Sequence, residues 1–323
     1  MTLSWATIVG AGLAAWVLFI SPSSSMPSWK TVGLSTAGVV TASLALLYKF
    51  QERLLYLPGA ASPHIRPRDN PQNYRRPDEW GMPFEDVTLV TADSVRLAGW
   101  MIKQPSAHNA PTLVYFHANA GNMGFRLPSI AQMYHRLSCN VFIISYRGYG
   151  DSEGTPSEQG LMLDAEAVLE HLLRERQDID PRRLVVFGRS LGGAVALFIA
   201  KRYNAEVRAT IIENTFTSIP DMVDVVLPLL APLKRLILRI DWPSRSRIGH
   251  VTHPILFLSG TQDELVPSHQ MEALYAAAVS SPHKEIHRVE DGTHNDTWLK
   301  GGEAYVAKML EFITRHASAT RTG

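Results

Sequence analysis

A short β-branched run at residues 184–187, a glycine-bounded serine at 188–193 and a helical stretch at 194–203 follow one another without a gap. Gly188-Arg189-Ser190-Leu191-Gly192-Gly193 is thus a G-x-S-x-G pattern with a strand before it and a helix after it, the setting that gives the pattern meaning. The turn it predicts is sharp. Side chains at the motif's glycine positions, two residues to either side of the serine, would collide with the strand and the helix, so both must be small. The strain lifts the serine hydroxyl above the sheet, and the following helix points the positive end of its dipole at the same place.

Such a turn needs a sheet, and the surrounding sequence supplies one. Residues 87–90 and 95–102 read as two strands around an Ala-Asp-Ser turn, followed by runs at 112–117, 141–145, 184–187, 209–212, 255–259 and 285–289. Most are short and β-branched or aromatic, as strands buried on both faces of a parallel sheet are. Helical stretches lie between them. In residues 160–176, Leu161, Ala165, Val168, Leu169 and Leu172 form one stripe, and 270–279 and 303–316 behave similarly. The alternation predicts an α/β fold, a mostly parallel eight-stranded sheet with helices on both faces and ligands at the carboxyl ends of the strands. With 46% hydrophobic and 19% charged residues among 323, the chain can bury a sizeable core. The catalytic unit is expected at 84–318, with an insertion at about 216–250.

A serine nucleophile needs a general base, and the base needs an orienting carboxylate. In this architecture they follow in the order serine, acid, histidine. Asp263 lies on the loop after the 255–259 strand, and His294 on the loop after the 285–289 strand, behind Gly292. Glu213, at the end of the 209–212 strand, is the rival acid, disfavoured by chain order, and Glu264 should point elsewhere. His283 and His287 read as surface or packing residues. A tetrahedral intermediate also needs backbone N–H donors. Leu191, next after the serine, is one candidate. Asn119 is the other, in the loop His117-Ala118-Asn119-Ala120-Gly121-Asn122, with His117 bracing that loop. His283 and His287 have H-x-x-x-H spacing but precede or lie within a strand, and neither metal nor cofactor is expected. The lone Cys139 excludes a disulfide within the chain and reads as a small buried residue.

Ahead of all this the chain is apolar. Residues 1–49 read as a membrane-anchoring region with uncharged runs at 3–20 and 32–48, each near the lower limit of about 17–25 residues for a spanning helix. A cleaved signal peptide would want a Lys or Arg before the first run, and there is none. The second run is bounded by Lys30 and Lys49, with Tyr48 and Tyr56 near its far interface. Residues 50–83 are rich in proline and read as a tether. A net charge of +1 gives no reason to expect nucleic acid. The localisation expected is a membrane, endoplasmic reticulum, other endomembrane or plasma membrane.

Several segments together resemble one family: FHANAGNMG (116–124), SYRGYGDSEGTPSEQGLMLDA (145–165), GRSLGGAVA (188–196), ENTFTSI (213–219), GTQDELVP (260–267) and GTHNDTW (292–298), with YKFQERLLYLPG just after the second apolar run. They resemble the α/β-hydrolase superfamily, and within it the membrane hydrolases of the fungal bud-emergence branch and of animal α/β-hydrolase domain-containing protein 13. The resemblance covers most of residues 45–316. It implies an α/β-hydrolase fold and places nucleophile, acid and base on Ser190, Asp263 and His294. By analogy with related branches it implies hydrolysis of acyl esters or thioesters, with a membrane lipid or acylated substrate as partner. A membrane-tethered scaffold with incidental chemistry, or an acyltransferase, are the alternatives. Lys49, Arg53, Arg66 and Arg68 favour a cytosolic catalytic domain, whereas the resemblance implies a single span with the domain outside the cytosol. Within the insertion, residues 225–240 interleave leucines with Lys234, Arg235 and Arg239 and read either as a lid over an acyl pocket or as a packed helix with a solvated basic edge.

Overall fold

The computed structural model describes residues 28–59 and 65–317. The apolar run at 3–20 lies outside them. The chain divides into two units, residues 1–49 and 50–323. The described part of the first unit is helical, the start of α1 (Trp29–Leu55). Within α1, Val32–Leu55 is 24 residues long, apolar and not buried by protein. At about 1.5 Å per residue it exceeds the ~30 Å of a bilayer's hydrocarbon, so by length and composition it qualifies as one membrane span.

The second unit is built on eight strands: β1 (Phe84–Val90), β2 (Arg96–Ile102), β3 (Thr112–Phe116), β4 (Asn140–Ile144), β5 (Leu184–Arg189), β6 (Ala209–Glu213), β7 (Ile255–Gly260) and β8 (Lys284–Val289). They form one sheet in the order β1-β2-β4-β3-β5-β6-β7-β8. β2 runs antiparallel to both its neighbours, and every pairing from β4 to β8 is parallel. The helices of this unit are α2 (Leu127–Leu137), α3 (Glu158–Glu170), α4 (Leu191–Arg202), α5 (Ile219–Val226), α6 (Lys234–Ile237), α7 (Ser244–Ile248), α8 (His269–Ala277), α9 (Thr297–Lys300) and α10 (Gly302–Ala317).

Alternate residues of each central strand feed two cores. Val114, Phe142, Val186, Ile212 and Phe257 pack with α3, α4 and α8, while Tyr115, Ile143, Phe187, Ile211 and Leu258 pack with α2 and α10 on the other face. This two-sided burial is why the strands read as continuous apolar runs. The direction of β2 has no such signature, because side-chain periodicity is the same for parallel and antiparallel strands. α3 stops at Glu170 and passes into a π-helical turn, His171–Glu175, where a single helix to residue 176 was expected.

Two segments differ from their composition. The proline-rich stretch folds into short 3₁₀ turns begun by the buried Pro67 and Pro77, and Asn70 and Met82 are buried. Proline at the first helical position costs no hydrogen bond, so the prolines that suggested a tether instead shape a chain that is part of the second unit. The insertion is anchored by buried Ile219, Ile237, Ile240 and Trp242, yet leaves Leu229 and Leu236 at 93% and 76% exposure.

Candidate active site

Ser190 caps the start of α4 with φ 54° and ψ −121°, a positive-φ conformation rare for a residue with a side chain. The surroundings over-determine it. Its N–H donates to the Glu213 carbonyl (2.9 Å), and its carbonyl accepts from Gly193 N–H (2.9 Å) and Thr215 Oγ1 (2.7 Å). The glycines are sterically required. A Cβ on Gly188 would stand 2.1 Å from the Gly192 carbonyl oxygen, and one on Gly192 would stand 2.0 Å from that of Phe116.

The structure brings Ser190, His294 and Asp263 together. His294 Nε2 lies 3.0 Å from Ser190 Oγ, and Nδ1 lies 2.8 Å from Asp263 Oδ2. All three residues are buried. A carboxylate only accepts, which assigns the proton to Nδ1 and leaves Nε2 to accept from the serine hydroxyl. Asp263 is itself fixed, its other oxygen accepting the N–H groups of Leu265 (2.9 Å) and Val266 (2.7 Å). Its position three residues past β7 is what the loop register predicts.

Glu213, the rival acid, makes no bond to His294. Its carboxylate accepts from Tyr305 Oη (2.8 Å) and lies 3.7 Å from Arg189 Nε. Burial pushes the Glu213 carboxyl up, against the opposing pull of Arg189. Glu264 points at the site after all: its carboxylate accepts the His294 backbone N–H (3.2 Å). Two further residues hold the histidine loop and were not singled out from sequence. Arg189 donates to the His294 carbonyl (2.8 Å). Asn214, at φ 45°, donates to Thr297 Oγ1 (2.9 Å) and Thr293 O (3.2 Å) and accepts from Gly260 N–H (2.9 Å), tying the ends of β6, β7 and β8 together. Arg189 occupies a variable position of the serine motif and Asn214 follows Glu213, so neither carried a signal of its own.

Leu191 opens α4, and among the described residues its N–H has no acceptor. The same holds for the N–H of Asn119. The two segments touch where Gly192 meets the Phe116 and His117 carbonyls. The Asn119 side chain is engaged elsewhere: Nδ2 donates to the Leu55 carbonyl, and Oδ1 accepts from Tyr149 Oη (2.7 Å) and Leu57 N–H (3.2 Å). His117 is fully buried, and burial together with Arg126 pushes its pKa down to about 3. It is a neutral ring donating from Nδ1 to the Ala118 carbonyl (2.7 Å), a brace rather than an acid or base.

A serine hydroxyl held against an imidazole, itself oriented by a buried carboxyl group, is an arrangement able to generate an alkoxide nucleophile. Elsewhere, His283, Glu285 and His316 converge within 4.8 Å. Glu285 is already engaged by Lys308 and by Arg315 (2.8 Å), which compete with any cation there.

Strand order, nucleophile turn and loop positions together define an α/β hydrolase. The chain belongs to that family: residues 111–235 match the family model described as alpha/beta hydrolase fold. It is 43% identical over 296 residues to alpha/beta hydrolase domain-containing protein WAV2 of Arabidopsis thaliana, covering 88% of this chain and 94% of that one. It is 40% identical to protein bem46 of Schizosaccharomyces pombe, covering 89% and 93%. It is also 40% identical to the membrane protein YNL320W of Saccharomyces cerevisiae, covering 85% and 94%. In fold it resembles the Pyrococcus furiosus esterase Pf2001, with TM-score 0.62 and 20% identity over 75% of this chain and 96% of that one.

Proposed function

We propose that this protein is a membrane-anchored serine hydrolase that cleaves carboxylic ester or thioester bonds of acyl or lipid-type substrates through an acyl-enzyme. The observation that carries the reading is the pair of distances at His294, 3.0 Å to Ser190 Oγ and 2.8 Å to Asp263 Oδ2. Ser190 Oγ attacks the acyl carbon while His294 Nε2 takes its proton, and Asp263 stabilises the imidazolium. The N–H groups of Leu191 and Asn119 donate hydrogen bonds to the oxyanion. Collapse expels the alcohol or thiol, protonated from His294. Water activated by the same nitrogen then releases the acid and regenerates Ser190. The apolar helix Val32–Leu55 and the membrane protein among the relatives support the anchor, and the exposed leucines of the insertion support an acyl substrate.

The test is hydrolysis of p-nitrophenyl esters of increasing chain length by detergent-solubilised protein, alongside Ser190→Ala and His294→Ala. The reading expects turnover in the wild type and losses of about 10⁴-fold or more in either variant. Equal rates in all three would overturn it. Turnover that grows in the presence of added alcohol, with ester as product, would make the enzyme an acyltransferase.

A further inference from the structure

Arg126 ends a 3₁₀ turn, Met123–Arg126, and caps α2. It is a cation without an anion: among the described residues no carboxylate pairs with it, and its Nε is buried with no hydrogen-bond partner. The charged or ionisable groups that act on it are the phenols of Tyr115, Tyr146 and Tyr149 and the cation of Arg189, none of them a carboxylate. Burial lowers its pKa only to about 10, so it is charged at neutral pH. Arg126 as a whole is half-buried, yet a guanidinium with a buried, unsatisfied Nε and no counter-charge is costly unless it does something a neutral residue does not.

Its bonds say what that is. Arg126 Nη2 donates to the carbonyls of Ala118 (3.4 Å) and Ala120. These two carbonyls flank Asn119. Across a trans peptide the carbonyl of residue 118 and the N–H of residue 119 point in opposite directions. Pinning Ala118 O therefore aims the Asn119 N–H away from Arg126. His117 Nδ1 pins the same oxygen from 2.7 Å, and the Asn119 side chain, held by Leu55, Leu57 and Tyr149, fixes the residue from its other end. A net positive charge held at this half-buried position also favours negative charge forming on the far side of the loop.

We infer that Arg126 is a positioning residue for the oxyanion: by holding the Ala118 and Ala120 carbonyls it presents the Asn119 N–H to the reacting carbonyl oxygen, and its unpaired charge favours the anionic intermediate. The inference rests on the hydrolase reading above. It assigns to Arg126 a role expressed in the transition state and not in substrate binding.

The experiment uses the full chain in detergent, a short-chain p-nitrophenyl ester, and active-site concentrations titrated with a fluorophosphonate. Arg126→Met and Arg126→Lys are compared with the wild type for kcat per titrated site, KM and the affinity of phenylboronic acid, a tetrahedral anion mimic. Arg126→Met is expected to lose roughly 10- to 100-fold in kcat with KM within about threefold, and boronate affinity is expected to fall in parallel. Arg126→Lys, keeping the charge but unable to bridge two carbonyls equally, is expected to fall between. A purely structural role would reduce the number of titratable sites while leaving kcat per site unchanged, and that result would overturn the inference. If the methionine variant does not fold, wild-type kcat and boronate affinity in Arg126→Lys would overturn it equally. A wild type that neither titrates nor hydrolyses the ester would overturn the hydrolase reading itself, a result distinct from active wild type beside an unimpaired variant.

Discussion

The backbone at Ser190 holds a positive φ that a serine adopts only under constraint, and the constraint comes from atoms that leave no room for a side chain at Gly188 or Gly192. Gly192→Ala would drive a methyl group into the Phe116 carbonyl. We predict a loss of about 3 kcal/mol, read as a fall in Tm on the order of 10 °C, together with loss of fluorophosphonate labelling. A labelled variant of wild-type Tm would refute this packing account. His117 carries a second prediction. Its imidazole is neutral in the fold, held down to about 3, and ordinary when unfolded. The unfolded chain therefore binds a proton that the folded chain refuses. Stability is full above pH ~6.5 and is lost as pH falls toward the folded value, with a slope of about 1.4 kcal/mol per pH unit in the steep part of that window. Buried His253, held down to about 4, adds a slope of the same sign. Denaturant melts at pH 5.5 and 4.5 should show His117→Asn losing one such slope relative to wild type. Equal slopes would mean that His117 titrates normally in the fold.

Among the elements, the last turn of α1 and the residues after it connect features far apart in sequence. Gln51 Oε1 accepts the N–H groups of Arg239 (2.7 Å) and Ile240 (3.1 Å), its Nε2 donates to the Ile237 carbonyl (3.2 Å), and Trp242 Nε1 donates to Tyr56 Oη (3.0 Å). The insertion is therefore clamped by the segment that also holds Asn119. Gln51→Ala should destabilise this clamp by about 2 kcal/mol, seen as faster limited proteolysis within residues 225–240 while the sheet stays protected. Unchanged cleavage would show that the buried Ile237 and Ile240 suffice. The eight strands, the serine turn and the loops carrying Asp263 and His294 were legible because each is a local pattern: a run, a glycine spacing, a loop after a strand. The direction of β2, the grip of Gln51, and the support from Arg189, Asn214 and Glu264 are long-range pairings between residues with no local mark. The proline-rich segment misled for a related reason, since proline limits backbone freedom equally in an ordered turn and in a tether.

At the scale of the whole molecule, the chain divides at residue 50, and the bonds of Gln51, Leu55, Tyr56 and Leu57 all fall on the catalytic side of that division. A chain beginning at Phe50 should fold with the Tm of the full protein, whereas one beginning at Pro58 should melt several degrees lower and lose turnover. Equal behaviour of the two would mean that residues 50–57 contribute nothing to the catalytic unit. The central claim is that Ser190 is a nucleophile activated by His294. Its most direct test is mass spectrometry of trypsin-digested protein after reaction with a fluorophosphonate. The account predicts the adduct on the 190–201 peptide of the wild type and no adduct there in His294→Ala. An adduct on another serine, or none on folded wild-type protein, would contradict it.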